Sequence, residues 1–172
     1  MLLMIVPTML AAAAAPAPAN PIQPALSGQL ECHVPNDQAK TCQSLAGYTR
    51  IAGNRYSNRA QVLLAPQGPV TLEVTSEVEV KDGAICGPLR LEDLNAGHVI
   101  VAGRTLSDAE AAPVKTQLAQ AMGPMIGKQI CSKLEPSGNG FTVKSSIDRT
   151  YRSDLDRPMH WVKPDEGYKV AP

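Results

Sequence analysis

Four cysteines, Cys32, Cys42, Cys86 and Cys131, carry the most definite chemistry in this chain. No two stand in a C-x₂-C spacing, so no thiolate pair is preset for zinc. An even number of cysteines behind an apparent export signal reads instead as a disulfide framework. Three pairings are open, and Cys32–Cys42 with Cys86–Cys131 is preferred. Pro35-Asn36-Asp37 is a turn that would fold the first pair together. The second pair would staple a loop to the end of a helix. Loop-closure entropy makes such bridges worth roughly 3 and roughly 4 kcal/mol. Cys86-Gly87-Pro88 opens like a redox dithiol, but Leu89 stands where the resolving thiol is needed.

The histidines are His33, His98 and His160, and none falls in a metal-binding helix motif. His98 has Glu92 and Asp93 nearby in the chain, the raw material of an acid–base pair. There is no G-x-S-x-G elbow for a serine hydrolase. Gly138 to Ser145 brushes against a phosphate loop, yet Val143 occupies the required glycine position. The basic stretch around Tyr48, Arg50, Arg55 and Arg59 could meet an anionic envelope component. The competing reading pairs its arginines with Glu73, Glu77 and Glu79 on a neighbouring strand. His160 and Trp161, the latter the single tryptophan, could anchor an envelope protein or pin the tail to its own domain.

These residues need elements to position them. Residues 1–19 hold no charge and read as a signal peptide, with Ala17 and Ala19 before the expected cut. Their apolar block is too short to span a bilayer, and no later stretch is apolar enough, so no transmembrane segment is expected in the mature protein. The product is expected to be periplasmic or secreted. Sixteen basic residues balance sixteen acidic ones, and aromatic residues make up only 3% of the chain. Both observations argue against nucleic acid as a partner. No cofactor and no metal is expected.

Residues 20–28 read as a flexible lead-in. Strands are expected at Gln29–Val34, Tyr48–Ile51, Arg59–Leu64, Val70–Val80, His98–Val101 and Phe141–Ile147. In the clearest of them, Leu72, Val74, Val78 and Val80 alternate with Glu73, Thr75, Glu77 and Glu79. One long helix is expected over 107–134, capped by Ser107 with Glu110 and kinked near Pro113 and Pro124. Residues 148–172 read as an irregular extension.

The expected fold class is α+β: an antiparallel sheet of about five to six strands, packed on that one helix and stapled by two disulfides, with the domain over 29–147. The leading functional expectation is a non-catalytic binding or scaffolding module of the cell envelope. The second is a carrier for a small apolar ligand, using a cleft under the helix lined by Met122, Met125 and Met159. The third is an enzyme using His98 with Glu92 or Asp93.

Overall fold

The computed structural model describes residues 20–172; the expected signal peptide lies outside them. In chain order the elements are α1 (Gln23–Leu26), β1 (Leu30–His33), β2 (Thr41–Cys42), β3 (Ser44–Ala52), β4 (Arg55–Ala65), β5 (Val70–Lys81) and β6 (Ala84–Pro88). There follow α2 (Leu91–Ala96), β7 (His98–Val101), β8 (Arg104–Thr105) and α3 (Asp108–Met122). The chain ends with β9 (Gln129–Ser137), β10 (Gly140–Ile147), β11 (Thr150–Tyr151), β12 (Arg157–Val162) and β13 (Lys169–Val170).

Eight of these strands close into an antiparallel barrel, in the circuit β1-β3-β4-β5-β6-β9-β10-β12 and back to β1. The α+β fold class is therefore corrected: the sheet closes on itself, so its inner face meets mainly other strands and not one long helix. Three barrel strands, β6, β9 and β12, are absent from the expected set. The helix expected over 107–134 supplied one of the errors. It stops at Met122, runs through a 3-10 turn at Gly123–Met125, and Gly127 turns the chain at φ +80°. Gln129–Ser137 is then extended, pairing with β6 on one side and β10 on the other. Ile126 and Ile130 fit a helical stripe, but Ile130, Ser132 and Leu134 equally fit the inner face of a strand. Only the partners on both sides decide between the two.

The tail likewise departs from expectation. Within 148–172, β12 pairs with both β10 and β1 and completes the barrel. The lead-in holds α1, with Ile22 fully buried, packed with Tyr56 and Ile85 at one end of the barrel.

The register places one continuous inner face. Val62 opposes Leu72, Val80 opposes Ile85, Ser132 opposes Ser145, Phe141 opposes Met159, Trp161 opposes Glu31, and Ser44 closes the circuit back to Val62. Outside, Cys32–Cys42 packs with Leu30, Leu45, Val162 and Tyr168, next to the small β2–β13 parallel pair. Cys86–Cys131 joins directly opposed residues of β6 and β9. Both bridges follow the preferred pairing and suit oxidising, extracytoplasmic surroundings. Among the described residues no helix is long and apolar enough to cross a membrane.

Candidate ligand-binding cavity

An eight-stranded barrel is the size at which side chains just fill the interior or leave room for one small ligand. Here the wall itself opens. The far end of β5, Glu79–Lys81, pairs with β6, while its beginning, Val70–Glu73, pairs with β7. Between these two ladders, residues 74–78 of β5 lack a regular strand partner on that side. The chain leaves β6 at Pro88, builds α2, β7, β8 and α3, and returns at β9. Leu94 of α2 and Leu118 and Met122 of α3 pack over the gap against Leu64, Leu72 and Val74.

The packing leaves a cavity of about 340 Å³ between barrel and helices. Val62, Leu72 and Val74 line it from β4 and β5, Ile85 and Ile130 from β6 and β9, and Leu118 from the helical cover. Gly87 borders it, and a Cβ there would meet the Glu77 carbonyl at 3.0 Å and a Val78 methyl at 3.1 Å, so β6 can lie this close to β5 only with glycine. The cover is tied together: Lys115 Nζ of α3 donates to the Asn95 carbonyl of α2 at 2.6 Å. Ser107 caps α3 in a capping box with Glu110, as expected.

Few polar groups enter this apolar lining. They are Ser76, Ser132, Arg90, Asp93 and Glu77, whose carboxylate is paired with Arg55. Asp93 Oδ2 is buried with no hydrogen-bond partner. Burial raises the Asp93 carboxyl above its ordinary value, with nearby Arg90 opposing and Glu92 reinforcing the shift.

A second polar group sits in the barrel interior, apart from the cavity lining. Glu31, 3% exposed, accepts a 2.6 Å hydrogen bond from the Tyr48 hydroxyl, and His33 Nε2 stands 3.5 Å from the same carboxylate oxygen. Burial and the Glu31 carboxylate raise the Tyr48 phenol well above its ordinary value. His33 Nδ1 is buried and unpaired. Alternation along the expected strand Gln29–Val34 puts Glu31 and His33 on one face, opposite Leu30 and Cys32, and that period is the signal for this cluster.

The other singled-out residues scatter. His98 is exposed and borders a smaller, separate pocket with Arg59 and Glu73, whereas Asp93 lines the cavity and Glu92 is exposed. Arg55 pairs with Glu77 and Arg59 with Glu73, each at 2.6 Å, while Arg50 donates to the Gly53 carbonyl. Tyr48 turns inward, away from these arginines. Trp161 is half-buried on the inner face, packed with Ile22 and Met159, and His160 lies 3.7 Å from Asp37 on the outside. Of the three methionines expected under the helix, Met122 lines the cavity. Met159 is fully buried in another part of the core. Among the described residues no cluster of His, Cys, Asp and Glu is arranged to hold a metal ion.

No protein-family model, curated protein sequence or solved structure matches this chain.

Proposed function

We propose that this protein is a non-catalytic carrier of a small apolar molecule outside the cytoplasm, in the periplasm or the secreted fraction. The observation that carries the reading is the cavity of about 340 Å³ under α2 and α3, lined mainly by apolar side chains. A cavity of ~150 Å³ holds benzene, so by proportion this one suits a ligand on the order of a dozen non-hydrogen atoms. Its volume falls in the range of small-molecule sites, roughly 300–1,000 Å³. The Cys86–Cys131 bridge joins the two ends of the inserted segment that carries the cover. That staple holds the cover over the opening without tying down its interior.

Naphthalene, a fluorescent hydrocarbon, tests the reading. The purified protein is expected to bind it saturably, one molecule per chain. Leu118→Trp fills the cavity from the cover and Val74→Phe from the barrel wall, and each should abolish binding while far-UV circular dichroism stays native. Absence of saturable binding overturns the carrier reading. Equal binding by a folded filled variant does the same.

A further inference from the structure

We infer that the C-terminal segment, residues 163–172, is a strap that gates reduction of the Cys32–Cys42 disulfide by a dithiol. The inference is independent of the cavity and of its ligand. The bridge joins β1 to β2 on the outside of the barrel, yet Cys32 is 0% and Cys42 1% exposed. Leu30, Leu45 and Val162 of the barrel strands pack around it, and the remaining side chain in the cluster is Tyr168, from the tail. The tail reaches that position by a defined path. After Lys163, Pro164–Glu166 forms a 3-10 turn, and Gly167 at φ +78° redirects the chain. The strand β13 then pairs with β2, with Val170 opposite Cys42 itself. The Lys169 N–H donates to the Lys40 carbonyl at 3.1 Å, and the Ala171 N–H to the Cys42 carbonyl at 3.2 Å. The Tyr168 hydroxyl donates to Asp37 at 2.6 Å, and the Lys40 ammonium stands 4.5 Å from the centre of the Tyr168 ring.

These contacts are few, and the Tyr168–Asp37 bond is exposed, so the strap can open while the barrel stays folded. Reduction needs that opening. A dithiol's thiolate attacks one bridge sulfur and releases the other as a thiolate. Its second thiol then displaces the first cysteine, leaving two cysteine thiols and an oxidised dithiol. With the strap closed both cysteines are sealed, and attack waits for release of the tail. Cys86–Cys131 lies between the paired strands β6 and β9, away from the strap's partners, and serves as an internal control.

The test compares the full mature protein with a chain ending at Lys163. Each folded protein is treated with dithiothreitol, free thiols are trapped with iodoacetamide at timed intervals, and peptide mass spectrometry reads the two bridges separately. Loss of the strap should speed reduction of Cys32–Cys42 by roughly tenfold or more, the factor that corresponds to about 1.4 kcal/mol of opening cost. Reduction of Cys86–Cys131 should be unchanged. Tyr168→Ala removes the covering ring and keeps the chain whole; it should speed the same bridge selectively, and it decides the matter if the shortened chain does not fold. Equal rates for Cys32–Cys42 with and without the strap overturn the inference. Equal acceleration of both bridges also overturns it, since that pattern reports loosening of the whole barrel.

Discussion

Two residues, Glu31 and Gly140, show how a single atom's surroundings set the behaviour of this barrel. Glu31 is buried and keeps its carboxylate on the Tyr48 hydroxyl. Tyr48→Phe removes that donor and leaves the carboxylate less satisfied, at a cost of about 1–3 kcal/mol, to be read as a lower urea midpoint. Gly140 poses the opposite problem, having no room to spare. An added Cβ would lie 2.6 Å from the Met159 carbonyl and 2.7 Å from His160 Nε2, so β12 approaches β10 there only over glycine. Gly140→Ala should cost about 1–3 kcal/mol through displaced backbone, measured by the same unfolding curve. Neither position announces itself by residue type. A glutamate in a strand reads as solvent-facing until its register opposite Trp161 is known.

At the scale of elements, the inserted segment between β6 and β9 is decisive. Its ends are joined by Cys86–Cys131, separated by 45 residues, against 10 for Cys32–Cys42. Removing the longer bridge with a double Cys→Ala change should cost about 4 kcal/mol, and the shorter about 3 kcal/mol, by loop-closure entropy. Thermal unfolding of the two double variants should preserve that order. The start of α3 adds a pH dependence. Hydrogen bonds from Arg104 and from Ser107 pull the Glu110 carboxyl down from 4.5 to about 2. A carboxyl depressed in the folded state contributes stability that is present above its unfolded value and lost as pH falls through the folded one. Helix stability should therefore decline between about pH 4.5 and about pH 2. Glu110→Gln should flatten that decline when circular dichroism is followed through an acid titration.

Across the whole molecule, closure changes what an apolar face means. In an open α+β sheet, Leu72, Val74 and Val78 would have packed against a helix along their full length. In the barrel they face other strands, and the helices meet only the part of the wall where β5 lacks a partner. The cavity follows from that mismatch: α2 and α3 bridge an opening that strand pairing leaves, and their side chains do not fill it. Filling it with Leu118→Trp should therefore raise thermal stability if the ring fits the void, even as naphthalene binding is lost.

Much of this protein is local and was readable from the residues. Alternation marked β5, the turn residues marked the Cys32–Cys42 hairpin, and Ser107 with Glu110 marked the start of α3. The cross-strand arginine–glutamate pairs also followed from charge pattern on consecutive strands. The preferred disulfide pairing is the one found, but Cys86–Cys131 joins two strands, β6 and β9, not a loop and the end of a helix. Closure could not, because it depends on β12, a short strand with Pro158 near its start, meeting β1 more than a hundred residues earlier. Nor could the fate of Gln129–Ser137, whose apolar spacing suits a helix and a strand alike. Short-range preference leaves those segments undecided, and hydrogen-bond partners on both edges decide them. The same long-range pairing set Glu31 and His33 inward, turned Trp161 into the barrel, separated His98 from Asp93, and left Asp93 beside the cavity.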